Sequence, residues 1–259
     1  MTYTTIKTDS INKNIAVIIL NRPDALNTFN TPLAEELYAA LLTADADEAV
    51  RVIMIKGEGR AFCAGIDVKE LEGKSTLDYE RWIDSMERPL HVISTLGKPV
   101  IAVHHGVAAA NGMGLVASAD LVISADTARM GLTAINVGLN CVGPVIPVFR
   151  CIGRKRALEL LFSGRLIKAD EAMSMGLVNR VVPEAELDEQ ARLWAEELAA
   201  KSPVALRIAK TAFYKAEDMS YEKQFAYMNE AFARLCSTDD AKEGVNAFFE
   251  KRTPNWTGR

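Results

Sequence analysis

The chain has 259 residues, 49% of them apolar and 25% charged, with a formal net charge of −4. That length and apolar content can bury a large core, as one sizeable domain or as a core with an extension. The acidic balance argues against nucleic-acid binding, which usually shows a basic excess, and the apolar runs are too short and interrupted for membrane insertion.

Four cysteines (Cys63, Cys141, Cys151 and Cys236) show no CxxC spacing, and the three histidines form no metal motif. Reduced thiols in a cytoplasmic or matrix-like compartment, with no bound metal, are therefore expected. No targeting segment is evident, because Met1–Thr5 runs directly into a strand-like segment.

In chain order, Asn14–Leu20 reads as a central strand, about Thr31–Thr43 as a helix and Val52–Lys56 as a strand. An amphipathic helix is expected over about Asp78–Leu96, with His91 beside Leu90, Ile93 and Leu96 in a structural role. Strand Pro99–Val103 leads into a helix rich in small residues, and Leu121–Ser124 is another strand. From Leu187 onward the pattern is almost entirely helical, with Leu193, Trp194, Leu198, Leu206, Ala209 and Phe213 at helix-compatible spacings. Phe225, Tyr227, Phe232, Phe248 and Phe249 follow. A tail this apolar must fold back on its own core or pack on a neighbouring subunit.

Two stretches carry the chemistry: Arg60–Leu71, containing Ala64-Gly65-Ile66-Asp67, and His105–Gly114, containing Ala110-Asn111-Gly112. Each follows a strongly apolar strand and passes through small residues into an expected helix start. Such turns leave backbone N–H groups unpaired. One N–H from each loop can hold a carbonyl oxygen as it gains negative charge, and small side chains let a ligand approach the main chain.

With these motifs, the chain resembles the enoyl-CoA hydratase/isomerase (crotonase) superfamily along nearly its whole length. The resemblance also rests on Leu20-Asn21-Arg22-Pro23-Asp24-Ala25-Leu26-Asn27, on Pro99–Val103 leading into Gly106, and on Gly164-Arg165-Leu166-Ile167 with Ala169–Ala172 and Gly176-Leu177-Val178. Val137–Cys141 and the tail Glu243–Pro254 look like a divergent subgroup that includes the enoyl-CoA hydratase domain-containing proteins.

The resemblance implies an α/β fold, a ββα spiral core over 1–194, with a helical C-terminal region over 195–259 for trimerisation, often doubled to a hexamer. It implies an acyl-CoA thioester as ligand, with coenzyme A part of the substrate and no metal or redox cofactor. The oxyanion-hole amides match Ile66 and Asn111, and the substrate-binding positions are Ala25, Leu26, Ala64, Gly65, Ile66, Asp67, Asn111 and Gly112.

The proton-transfer groups are where the pattern departs. Hydration requires a proton to leave water at the β-carbon and another to reach the α-carbon. The resemblance implies two glutamates for this work, and ungapped alignment from Gly106 puts their positions on Gly114 and Ala134. A third position, used by some isomerases, falls on Val142. None carries a carboxylate.

Between Gly106 and Gly143 the acids are Asp120, expected to be structural, and Asp126, in a turn. Cys141 could face the acyl group, but its neighbours supply no positive charge to make a thiolate, and a small buried apolar role is its ordinary reading. His104 and His105 could transfer protons, although strand alternation turns only one of them to the ligand side. Hydrogen bonding within the turn is the alternative. Asn111 can donate a hydrogen bond but cannot accept a proton. Asp67 is expected to order its loop, and Lys56, Arg60 and Lys69 either meet coenzyme-A phosphates or are solvated surface.

The leading expectation is therefore a lyase or isomerase of acyl-CoA, as in fatty acid metabolism, that stabilises a thioester enolate and hydrates weakly or not at all. Decarboxylation or thioester hydrolysis, and a weakly catalytic acyl-CoA-binding regulator, are the alternatives. Placing glutamates at 114 and 134 is expected to raise crotonyl-CoA hydration, provided the pocket has room.

Overall fold

The computed structural model describes residues 3–259. The main sheet has six strands: β1 (Ile6–Ile11), β2 (Ile15–Leu20), β3 (Val52–Gly57), β4 (Val100–His104), β6 (Leu121–Ala125) and β9 (Arg180–Val182), in the order β1-β2-β3-β4-β6-β9. Only β1 and β2 pair antiparallel; the remaining neighbours are parallel. A smaller sheet holds β5 (Val107–Ala109), β7 (Arg129–Gly131) and β8 (Ile167–Lys168).

The chain passes from β4 to β5 to helix α3 (Asn111–Ser118), then from β6 to β7 to α4 (Val145–Ser163). Each circuit places one strand in each sheet before its helix, giving the ββα spiral. The stretch between β3 and α2 (Thr76–Val92) follows the same path, with Cys63 bridging to Ala108 of β5.

A parallel sheet covered on both faces reads as a continuous apolar run, and β4 is buried at every residue. Alternation sorts its side chains. Val100 and Ala102, with Ile53 and Ile55 of β3, face the cluster built by α1 (Thr31–Ala46), α2 and α3. Ile101 and Val103, with Val52 and Met54, face Leu187, Ala191, Trp194, Ala195 and Ala199 of α6 (Leu187–Ala199). A division of the chain at 194/195 thus falls inside α6, whose buried face is continuous across it. The strand expected as central, β2, lies inside the sheet between β1 and β3.

Helices α7 (Pro203–Ala216), α8 (Tyr221–Cys236) and α9 (Asp239–Glu250) complete the chain. Asp120 ties α7 to the sheet: it accepts from Lys210 Nζ at 2.6 Å, Tyr214 Oη at 2.8 Å and the Val100 N–H at 2.7 Å. The end of the tail folds back, with Trp256 Nε1 donating to the Ala200 carbonyl at 2.8 Å and Asp240 accepting from Ser202 and Thr257. Among the described residues no helix is long and apolar enough to cross a membrane.

Candidate active site

The two small-residue loops meet backbone to backbone. A Cβ at Gly112 would run into the Cys63 carbonyl oxygen, so only glycine lets the start of α3 lie against the first loop. Gly65 takes φ +110, and a Cβ there would stand 3.1 Å from Ala110 Cβ. Ala110 itself has φ 48 and ψ −114, a strained conformation for a residue with a side chain. Its N–H donates to Gly131 O at 2.9 Å.

Around this contact most main-chain groups are paired: Ala64 N–H to Leu26 O, Phe29 N–H to Gly65 O and Asp67 N–H to Phe29 O. The N–H groups of Ile66 and Asn111 donate to no protein acceptor among the described residues. Asn111 stands at the first position of α3, where the helix offers its amide no partner. Its side chain is also buried, and Nδ2 has no acceptor.

Both residues line one cavity of about 570 Å³. Ala64, Gly65 and Ala110 line it with them, as do Ala134, the 139–144 loop, and Tyr79, Trp82, Ile83 and Glu87 of α2. The structure thus brings together Ala64, Gly65, Ile66, Asn111, Ala134 and Cys141.

Ala25, Leu26, Asp67, Gly112 and Gly114 do not line this cavity. Leu26 reaches it only through the Ala64 N–H bound to its carbonyl, and Ala25 sits in the adjoining turn with its carbonyl bonded to Thr28 N–H. Asp67 accepts from Arg22 Nη2 at 2.9 Å and from Lys69 N–H, and the Arg22 hydrogen bond holds its carboxyl below the usual range. It orders the loop.

Gly114 has no free space. A Cβ there would lie 2.7 Å from Leu90 Cδ2 and 2.8 Å from Pro144 Cβ. The expectation that a glutamate could be restored at 114 is corrected on this ground.

The other candidates separate in the same way. Burial pushes the Cys141 thiol up, so at neutral pH it lines the cavity as a neutral apolar group rather than a nucleophile. His104 is fully buried and faces away from the cavity, its Nδ1 2.8 Å from Ser124 Oγ and its ring edge-on to Phe62. Burial pushes its pKa down to about 3, which keeps it neutral. His105 Nε2 bonds to the Gly59 carbonyl at 2.8 Å. Lys56 pairs with Asp188 at 2.7 Å, away from the loops, and Asp126 accepts the Glu184 N–H.

Two residues with a part here carried no chemistry in the sequence reading. Asn27 is buried, donating to Glu58 O and Ala61 O at 2.9 and 2.8 Å and accepting the Arg22 N–H, so it braces the first loop. Glu87 brings a carboxyl group to the cavity wall, where a Cβ at Gly143 would collide with it. The signal for Glu87 is an acid interrupting the apolar series Ile83, Glu87, Leu90 on one helical face.

The spiral fold agrees with the family comparison. The enoyl-CoA hydratase/isomerase family model matches residues 10–259. This chain belongs to that family. The human enoyl-CoA hydratase domain-containing protein 3, mitochondrial, is 34% identical over 241 residues, covering 93% of this chain and 80% of the relative. The crystal structure of an enoyl-CoA hydratase from Mycobacterium smegmatis superposes with a TM-score of 0.95 at 36% identity, covering 98% of this chain and 99% of that one. An enoyl-CoA hydratase from Bacillus anthracis gives 0.93 at 33% identity, with 99% and 100% coverage. Family membership makes an acyl-CoA-related activity the frame in which the cavity is interpreted.

Proposed function

We propose that the cavity binds an acyl-CoA thioester and that the Ile66 and Asn111 N–H groups hold its carbonyl oxygen as an enolate forms. The observation that carries this reading is that the Ile66 and Asn111 amides, one from each loop, have no protein acceptor and belong to residues lining one cavity. Such donors, fixed before the reaction, favour charge that develops on the oxygen. Proton movement at carbon transfers no electrons between molecules, so the reaction needs no redox cofactor, and coenzyme A enters as part of the substrate. Gly114 and Ala134 carry no group able to move a proton, so hydration is weak and the chain acts as a lyase or isomerase on other acyl-CoA chemistry.

Calorimetry with a saturated acyl-CoA tests the reading: binding is expected, and no heat with no competition by free coenzyme A refutes it. Ile66→Pro removes one amide donor, and turnover should fall by roughly 10²–10³-fold. An acyl-CoA panel followed by mass spectrometry identifies the reaction.

The same proposal includes assembly as a homotrimer or hexamer through 195–259. It is supported by the exposed aromatic rings of α8 and α9, among them Phe232 at 66%, Phe248 at 79% and Phe249 at 76%. Light scattering that shows a 28.3 kDa monomer at micromolar concentration refutes it. A reducing, cytoplasmic compartment is proposed from the four unpaired thiols.

A further inference from the structure

The cavity holds one carboxyl group beside its apolar wall. Glu87 lies on α2 between Ile83 and Leu90, on the face turned to the core, and is neither exposed nor fully buried. Among the described residues it makes no hydrogen bond or ion pair. A glutamate doing structural work would show partners, as Glu36 and Glu70 do.

The 139–144 loop lies against Glu87. Gly143 does not take a positive φ, so its backbone does not call for glycine; a Cβ there would collide with the Glu87 carboxylate oxygens. The absent side chain at 143 is the space the carboxyl group occupies. It shares that space with the Ile66 and Asn111 amides, Ala134 and Cys141.

We propose that Glu87 is the catalytic acid–base of this cavity, shuttling one proton between carbons of the bound acyl group. The inference rests on the acyl-CoA reading above and names the group that reading lacks. The Glu87 carboxylate takes a proton from the α-carbon of a β,γ-unsaturated acyl-CoA. The C–H electron pair passes into the thioester, and the oxygen takes the negative charge under the Ile66 and Asn111 N–H groups. The enolate then collapses, the carbonyl re-forms, and the double bond settles between the α- and β-carbons as Glu87 returns its proton to the γ-carbon. The carboxylate is regenerated, and no water, oxidant or second acid is consumed. One carboxyl group suffices for this shift because it acts twice in turn, whereas hydration asks for a proton off water and a proton onto carbon.

The surroundings suit a base. Burial, then the nearby Asp84 charge, push the Glu87 carboxyl above its ordinary range, which raises its basicity. The other titratable groups near it are Glu80 and Tyr79 on α2 and the neutral thiol of Cys141 on the facing loop. No cation is paired with it among the described residues.

Exchange of α-protons in D2O tests the assignment with butyryl-CoA, a saturated probe that binds and can lose only an α-proton. Full-length wild type is expected to exchange deuterium into the α-carbon, seen by mass spectrometry. Exchange should rise with pH through a midpoint above the ordinary glutamate value. Glu87→Gln keeps the shape and should cut exchange by roughly 10²-fold or more, with the calorimetric Kd within about threefold of wild type. Glu87→Asp, which keeps the base on a shorter arm, should retain a measurable fraction and the same pH profile. Unchanged exchange in Glu87→Gln overturns the proposal, as does wild type that binds butyryl-CoA without exchanging. Failure to bind butyryl-CoA at all refutes the acyl-CoA reading, and the proposal falls with it.

Discussion

Replacing Gly114 separates two accounts of why this chain lacks a carboxylate on α3: an empty position open to refilling, or a position closed by packing. A Cβ at 114 would approach Pro144 Cβ to 2.8 Å and Pro144 Cα to 3.1 Å, with Leu90 Cδ2 at 2.7 Å. Carbon pairs rest at about 3.5–4.0 Å, so the nearest contacts fall short by about 0.7 Å. The Leu90 methyl can turn away; the Pro144 ring and backbone cannot.

Overpacking of this size costs about 1–3 kcal/mol, and alanine in place of glycine inside a helix returns about 1 kcal/mol. Gly114→Ala should therefore lose up to about 2 kcal/mol in urea denaturation. Gly114→Glu adds a carboxyl group to the same contact and should lose about 3 kcal/mol or more, without raising crotonyl-CoA hydration. Leu90→Ala alone should cost about 2–5 kcal/mol. Combined with Gly114→Ala it should cost less than the sum of the two, by about 1 kcal/mol, because one clash has been removed. A Gly114→Ala protein more stable than wild type, or a folded Gly114→Glu protein with raised hydration, would show that the site is open and refute the packing account.

Three further outcomes follow from the fold. Lys210→Met leaves the Asp120 carboxylate, 15% exposed, without its 2.6 Å partner, and should cost about 3–5 kcal/mol by urea denaturation; a loss under 1 kcal/mol would show the pair to be dispensable. Asn27→Ala strips the Glu58 and Ala61 carbonyls and the Arg22 N–H of their partner, and should cost about 2–4 kcal/mol while weakening acyl-CoA binding in calorimetry; unchanged binding would detach this brace from the site. Burial pushes the Glu36 carboxyl up, but hydrogen bonds from Thr5 and Thr4 outweigh it and hold it at about 2. Its folded value lies below its unfolded one, so its stabilisation is complete above pH 4.5 and is lost as pH falls toward 2. Glu36→Gln should flatten that part of the stability–pH curve, and an unaltered acid limb would count against it.

Strands β2, β3, β4 and β6 were legible because a doubly covered parallel sheet writes itself as apolar runs, and Val100–Val103 and Val52–Ile55 are such runs; the order of strands in the sheets, and the short strands of the smaller sheet, were not. The two loops were legible because their glycines answer to local backbone demands. Gly65 needs a positive φ, and Gly112 lies against the Cys63 carbonyl. The amphipathic helix expected over Asp78–Leu96 ends as an α-helix at Val92 and tightens to a 3-10 turn over Ile93–Thr95. What could not be read was which side chains meet across the cavity. Glu87 and Gly143 are 56 positions apart, and nothing local to either announces the other. Asn27 presented the same difficulty, since its value lies in carbonyls more than 30 residues away.

Glycine recurs at 114 and 143 for opposite reasons. At 114 the missing side chain is filled by Leu90 and Pro144, so α3 reaches the cavity through its first amide and not through a side chain one turn later. At 143 the missing side chain is filled by the Glu87 carboxyl group from α2. Leu90 and Glu87 are three residues apart on the same helical face, so one turn of α2 both closes the α3 position and supplies a carboxyl group one loop residue before Pro144. The proton-transfer group proposed for this cavity is thus carried by α2 and not by α3. The stereochemistry of deuterium incorporation at the α-carbon records directly which face of the acyl group that carboxyl group meets. Deuterium delivered to a single face that is lost in Glu87→Gln ties the reacting face to α2; delivery to both faces equally would mean that solvent, and not a fixed carboxyl group, supplies the proton.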